Sequence, residues 1–357
     1  MPALEIVVGI DFGTTYSGAS WAINAGERQV HLVDDWPNPV AANITQHKVP
    51  SLLSYNNRGQ PVKWGYNVTV GTDTRVLRWF KLLVESLDYD NDMIEPLRES
   101  ENLLRSMSRS RIDATSDYLR WIWESTKENI RIHQGDNWNA IYDVSVILTV
   151  PAIWSARAKA RTKRIAHIAG LPENTKLVPE PEAAALAAFK DLLSGTSQQT
   201  LRKDDAFVVC DAGGGTVDLI SYQIKSLHPF KIEECTPGTG GLYGSTLIDR
   251  CFENDIRTRI GPRTYDKMSP RRRARIFENF EAVKRSFNGD DREEHIVDLP
   301  GIRDNPAARI RDQAIQLTPS MLRTLFDHVC NQVIHLVDNQ IEDARAENCR
   351  VKMVRYQ

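Results

Sequence analysis

Two turns built from aspartate, glycine and threonine carry the chemistry of this 357-residue chain. The first is Gly9-Ile10-Asp11-Phe12-Gly13-Thr14-Thr15-Tyr16-Ser17-Gly18, the second Asp211-Ala212-Gly213-Gly214-Gly215-Thr216-Val217-Asp218. Glycine lets backbone N–H groups approach phosphate oxygens closely, and threonine hydroxyls add donors. Aspartate suits a divalent cation that keeps its water. One such turn alone reads equally well as a tight hairpin with glycine at positive φ. Two related turns read as hairpins that face each other and clamp a nucleotide triphosphate from both sides. A Walker-type loop is excluded, because its glycine, spacer and Gly-Lys-Ser/Thr sequence occurs nowhere.

Each turn joins two apolar runs, 6–10 to 18–23 and 207–210 to 219–224. That predicts two β-hairpins and suggests an ancient duplication, one hairpin opening each lobe. Strands and helices alternate around them, an α/β pattern. The Pro- and Asn-rich stretch 36–50 leads into an extended segment at 50–55, and 73–87 reads as a short helix carrying Arg75, Arg78 and Lys81. Residues 95–111 are polar and expected to be partly mobile. Helical spacing of Leu119, Ile122, Trp123 and Ile130 places a helix over 118–132. Residues 144–150 are a buried strand ending at Pro151. A helix over 155–169 has Ser155 as N-cap and Gly170 as stop, and an alanine-rich helix covers 182–193. The polar segment 194–205 reads as a linker. Beyond the second hairpin come a glycine-rich turn at 238–244 and helices over 245–259, 271–287 and 318–345. A last apolar run lies at 351–354.

Composition narrows the field. A net charge of −2 gives no basic field to draw in nucleic acid. The basic run Arg271-Arg272-Arg273-Ala274-Arg275 reads as a solvated helix start after Ser269-Pro270. The N-terminal apolar run is short, stops at Asp11 and follows no basic segment, so no signal peptide is expected, and no run is long enough for a membrane span. Five scattered cysteines without a CxxC spacing fit reduced thiols in the cytoplasm or nucleus, and no zinc site is expected.

These residues resemble the actin-like ATPase superfamily, and within it the nucleotide-binding domain of the heat-shock protein 70 chaperones. Residues 10–17 are similar to that family's first phosphate motif and 211–218 to its second. Val146-Ile147-Leu148-Thr149-Val150-Pro151-Ala152, Ile168-Ala169-Gly170-Leu171, Val178-Pro179-Glu180-Pro181-Glu182-Ala183-Ala184-Ala185 and Glu281-Ala282-Val283-Lys284-Arg285-Ser286 continue the match in order, from about residue 5 to 345. The pattern departs at Pro179, where the family has Asn, and at Glu182, where it has Thr. The segments Trp79-Phe80-Lys81-Leu82 and Trp121-Ile122-Trp123 look more like the divergent members abundant in filamentous fungi.

The resemblance implies an α/β, two-lobed fold of duplicated ribonuclease H-like sheets with flanking helices and a nucleotide cleft between the lobes. Lobe I is expected over 1–190 (core 1–40 and 115–190, outer part 41–114) and lobe II over 191–357 (core 191–229 and 311–357, outer part 230–310). It implies ATP or ADP with Mg²⁺ as ligands. Asp11 and Asp211 hold the metal through water. Gly13, Thr14, Thr15 and Tyr16 face Gly213, Gly214, Gly215 and Thr216 across the phosphates, with Gly244 nearby. Lys81, Glu180, Asp218 and Thr216 form the catalytic set, and Glu281, Lys284, Arg285 and Asn288 line the adenosine pocket. Lys81 is otherwise a solvated helix lysine, Glu180 a helix cap, and Lys284 and Arg285 an exposed face.

The family's final glycine turn and its peptide-binding domain are not found after Tyr356. The expectation is a truncated chain with an open adenine wall, costing roughly 1–4 kcal/mol of binding. Three functions are then weighed. The first is a slow ATPase domain whose lobe closure signals to co-chaperones or exchange factors. The second is a non-catalytic interaction module, and the third a small-metabolite kinase. Client peptide binding, nucleic acid and membrane partners are not expected.

Overall fold

The computed structural model describes residues 4–25, 29–38, 46–73, 75–85, 94–193, 202–289, 292 and 294–356. Two sheets organise them. The first has the order His31–Leu32, Tyr16–Ile23, Leu4–Asp11, Tyr142–Val150, Lys176–Pro179, with Val49–Pro50 also on Tyr16–Ile23. The second has the order Phe230–Gly241, Val217–Leu227, Asp205–Ala212, Arg350–Tyr356. Each is opened by its antiparallel hairpin and continued by a strand parallel to the hairpin's first arm. Parallel pairing needs a crossover, supplied by helix Arg111–Gln134 in one case and helix Pro319–Ala346 in the other. The hairpins share their register: Asp11 pairs with Gly18 as Asp211 pairs with Asp218.

Burial explains the sequence pattern of these strands. Ile6, Val8 and Ile10 alternate into one core with Val146, Leu148 and Val150. In the second sheet Phe207 and Val209 enter one cluster and Val208 and Cys210 another, so the central strand is covered on both faces and reads as an unbroken apolar run. A smaller sheet, Leu52–Tyr55 with Pro61–Trp64 and Val76–Arg78, flanks the first. Another, His295–Asp298 with Ala314–Leu317 and Ile310–Arg311, lies with helices Ser245–Ile260 and Pro270–Ser286 beside the second.

Most expected elements are present, and three are corrected. Within the expected helix 73–87, the described residues 73 and 75–85 are not α-helical: strand Val76–Arg78 pairs Leu77 with Leu53 in the core, and a single 3-10 turn, Leu82–Val84, follows. Positive φ at Arg75 (55°) and Trp79 (59°) brackets that strand and breaks any helix there. Residues 95–111 are ordered into helix Ile94–Ser106, whose buried Leu97, Ser100 and Leu104 share a face too sparse in apolar residues to announce itself. The glycines at 238–241 continue a strand, with Gly241 paired to Val217, so the turn is confined to 242–244. Residues 39–45 of the Pro- and Asn-rich stretch, 86–87 and the linker segment 194–201 lie outside the described residues.

Helix caps agree with the sequence. Ser155 accepts from Ala158 N–H, and Gly170 ends that helix at φ 88°. Ser269 and Thr318 cap helices that begin at Pro270 and Pro319. Helix Pro319–Ala346 is pinned to the second sheet by a side chain the sequence did not single out. The fully buried Gln340 donates to Ser221 Oγ (3.1 Å) and Pro237 O (3.3 Å) and accepts from Thr239 Oγ1 (2.7 Å). Gln340→Ala leaves Ser221 unpaired in the core and empties the space of the buried amide. It is expected to cost about 2–4 kcal/mol, read as a lower urea midpoint at unchanged m-value. A midpoint within error of the parent shows that the pinning is dispensable.

Candidate active site

The first turn is braced from outside the hairpin. Gly13 N–H donates to Ser17 Oγ (3.2 Å), Ser51 Oγ donates to Gly13 O (2.7 Å), and Ser51 N–H donates to Thr15 O (2.8 Å). Strand Val49–Pro50 brings Ser51 there. Ser17 belongs to the first motif but was given no role there, and Ser51 was not anticipated, because its signal lies in the fold and not in the motif. Asp11, at the end of its strand, accepts from Thr149 Oγ1 (3.2 Å) and from Lys48 Nζ (2.9 Å).

The second turn is closed by its own Gly213 N–H to Thr216 O bond (3.0 Å). It is then seated on helix Ser245–Ile260. The N–H groups of Gly244, Ser245 and Thr246 donate to the carbonyls of Gly215, Gly213 and Gly214 at 3.3, 3.1 and 2.9 Å. The helix's unpaired N-terminal donors are thereby used to fix the loop.

The two tips meet. A methyl group at Gly215 would lie 2.6 Å from Thr14 Cγ2, and one at Gly214 would overlap Thr15 Oγ1. Only glycine allows this approach. Among the described residues, no hydrogen bond involves the N–H groups of Thr14, Thr15, Gly214 or Gly215. Four orphaned backbone donors at one point, with two threonine side chains between them, suit an anion rich in oxygen.

Lys81 lies beside this point. Its ammonium is 2.6 Å from Glu180 Oε1 and sits over the rings of Phe12 (5.8 Å) and Trp154 (5.9 Å). The pair is nearly sealed, at 3% and 12% side-chain exposure, so Lys81 is no solvated helix lysine. The segment behind it is tied down carbonyl by carbonyl. Arg111 donates to Leu83 O and Arg161 to Val84 O, both at 2.8 Å. Glu85 accepts from Ser155 N–H (2.7 Å) and Oγ (3.0 Å) at the start of helix Ala156–Ala169. Glu180 is the first residue of helix Glu180–Leu193, directly after strand Lys176–Pro179.

The carboxylates crowd one another. Burial pushes Glu180 up to about 7, outweighing the pull of Lys81. Burial and the facing Asp218 push Asp211 up to about 6. Asp218 is raised too, by burial, although Ile153 N–H (3.3 Å) and Thr216 bond to it. Burial works against the Lys81 ammonium, yet Glu180, Asp11 and Asp218 together hold its pKa above the ordinary lysine value. Such a site favours cations. Among the described residues no cluster of three or more His, Cys, Asp or Glu is placed to ligate a metal directly. The donor set fits a hydrated divalent ion held by Asp11 and Asp211, an outer-shell arrangement natural to Mg²⁺.

The expected adenosine set divides. Glu281 and Tyr16 border a cavity of about 580 Å³ between the lobes, which Arg78, Tyr265 and Phe277 also line. Lys284 is held by Asp249 (2.8 Å) and Glu281 (2.6 Å), and Arg285 bonds Glu281 (2.7 Å) and lies over the Tyr16 ring at 5.6 Å. Asn288 falls beyond the end of helix Pro270–Ser286. The basic run at 271–275 is a helix start, as expected, but Arg273 turns toward the cavity. At the cavity's rim the lobes touch again: a methyl group at Gly71 (φ 90°) would lie 2.6 Å from Arg271 Cα.

The model of the family described as Hsp70 protein matches residues 139–355. Heat shock 70 kDa protein 12B of Homo sapiens is 24% identical over 348 residues, covering 80% of this chain and 50% of the relative. Heat shock 70 kDa protein 12A of Mus musculus is 24% identical over 311 residues, covering 70% and 44%. Chaperone protein DnaK of Thermotoga maritima is 24% identical over 351 residues, covering 95% and 50%. The chain thus spans about half the length of the curated relatives it matches. The fold is the two-lobed actin-like ATPase architecture. No described helix is long and apolar enough to cross a membrane.

The raised Asp211 pKa has a testable sign. The fold prefers the neutral acid, so the favourable contribution is complete below the ordinary 3.8 and is lost as pH rises through about 6. Asp211→Asn is therefore expected to stabilise the ligand-free chain by about 1–3 kcal/mol near pH 7.5 and by much less near pH 4. Urea titrations at both pH values check this, and a pH-independent difference contradicts the assignment.

Proposed function

Because the chain belongs to the Hsp70 family, we propose that it carries that family's nucleotide-binding domain, binding Mg-ATP between its lobes and hydrolysing it slowly. The observation that carries this reading is the meeting of the two glycine-threonine tips, with orphaned amides, beside the buried Lys81–Glu180 pair. In the proposal lobe I comprises 1–190 and lobe II 191–357. Thr14, Thr15, Gly13 and Tyr16 grip the phosphates from one side, Gly213, Gly214, Gly215 and Thr216 from the other. Gly244 supports the second tip. Glu281, Lys284, Arg285 and Asn288 flank the nucleoside end, next to the cavity.

Asp11 and Asp211 would hold Mg²⁺ through its water, and the ion would supply charge neutralisation there. The chain's own residues do the rest by position and electrostatics. Lys81 lowers the cost of charge on the transferred phosphoryl group. Asp218 orients the attacking water, whose oxygen bonds phosphorus while the bridging P–O bond breaks. The water's proton passes to Glu180, whose pKa of about 7 suits a base near neutrality. Closure around nucleotide then serves as the signal to co-chaperones or exchange factors.

One observation favours a second reading. The tips touch, and Asp218 already accepts Ile153 N–H across the lobes. A non-catalytic module that docks partners in a permanently closed form fits that geometry. Calorimetric titration of Mg-ATP into the monomeric chain separates the two: micromolar or tighter binding supports the first, and none by a folded chain supports the second. Asp11→Ala is expected to remove the metal-dependent part of the affinity. Lys81→Met, chosen to fill the space between Phe12 and Trp154, should keep binding and slow phosphate release at least tenfold. Unchanged turnover takes Lys81 out of the mechanism.

A further inference from the structure

The two hairpins have one register and different chemistry. Where the second hairpin faces Asp211 with Asp218, the first faces Asp11 with Gly18. The space left by that glycine is used. Lys48 runs over it, its Cγ 3.5 Å from where a Gly18 side chain would begin, and its ammonium reaches Asp11 Oδ2 at 2.9 Å. Tyr66 OH fixes the lysine's backbone by donating to Lys48 O at 2.8 Å. The pair is open to solvent, with 58% and 42% side-chain exposure, so it is weak enough to be exchanged.

We propose that Lys48 is a resident counter-cation of the phosphate site, neutralising Asp11 when no metal is present and turning onto the phosphate oxygens when a polyphosphate binds. The chain then takes nucleotide without a divalent ion, and the metal must compete with an internal ammonium. This rests on the nucleotide reading above, but half of it concerns the metal alone and stands apart from that reading. The ammonium repels a doubly charged ion in the same place, so removing it should tighten binding of a divalent ion by about tenfold.

The experiment uses the full chain, its Lys48→Ala variant and Lys48→Arg, with folding verified by circular dichroism. Mn²⁺ alone is titrated and followed by electron paramagnetic resonance. Lys48→Ala should bind it about tenfold more tightly than the parent, and Lys48→Arg like the parent. ATP is then titrated in EDTA and in Mg²⁺. The parent should retain binding in EDTA, while Lys48→Ala loses at least tenfold there and little in Mg²⁺. Equal Mn²⁺ affinities in the parent and Lys48→Ala overturn the proposal whatever the nucleotide does. So does an equal loss in EDTA for both chains. A folded parent that binds no ATP in either buffer overturns the nucleotide reading, and the Mn²⁺ arm still decides the role of Lys48.

Discussion

Burying one ammonium group constrains much of the first lobe. Desolvating Lys81 is costly unless a partner is held close, and Glu180 at 2.6 Å is that partner. The two come from distant parts of the chain, so strand Lys176–Pro179 and the 3-10 turn after Lys81 must both be placed to within a bond length. That is why the turn's carbonyls are taken up by Arg111 and Arg161, and why Glu85 is locked onto Ser155. The left-handed backbone at Trp79 is part of the same demand, since it turns the chain from an edge strand into the site. Remove the partner and the charge is left stranded among Phe12 and Trp154.

How much of this was legible depends on the range of the interaction. The two hairpins were plain because their signals are local: apolar runs with period or continuity, interrupted by Asp, Gly and Thr. The caps at Ser155 and Gly170 were equally local. The helix over 94–106 was missed because only Leu97 and Leu104 mark its buried face among polar neighbours. The stretch after Asp73 was misread because its helical-looking spacing of Arg75, Arg78 and Lys81 is overridden by Leu77 pairing with Leu53. Tertiary pairing decided the conformation there, and no window of sequence contains it.

The site divides along the same line. The residues at the tips were named from the motifs, and Lys81 and Glu180, also named, prove to touch. The supports were not visible: Ser17, Ser51, Glu85 and Gln340 act through partners between 34 and 119 positions away or through the backbone of another element. Lys48 was passed over because a lysine ahead of a Val-Pro pair looks like any surface lysine until the hairpin folds beneath it. Conversely, Glu281, Lys284 and Arg285 were grouped through the family resemblance, whereas their mutual pairing and the stacking of Arg285 on Tyr16 were not legible.

Among the described residues the lobes touch at several separated places, including the hairpin tips, the bond from Ile153 N–H to Asp218, the stacking of Arg285 on Tyr16 and the rim where Gly71 meets Arg271. Two solid bodies that bear on each other at several separated points have little rocking freedom left, and opening at the rim would pivot on the contacts that remain. The bare backbone at Gly71 sets the seat of the outermost bearing, and any bulk added there would act as a shim whose thickness is passed to the tips by leverage.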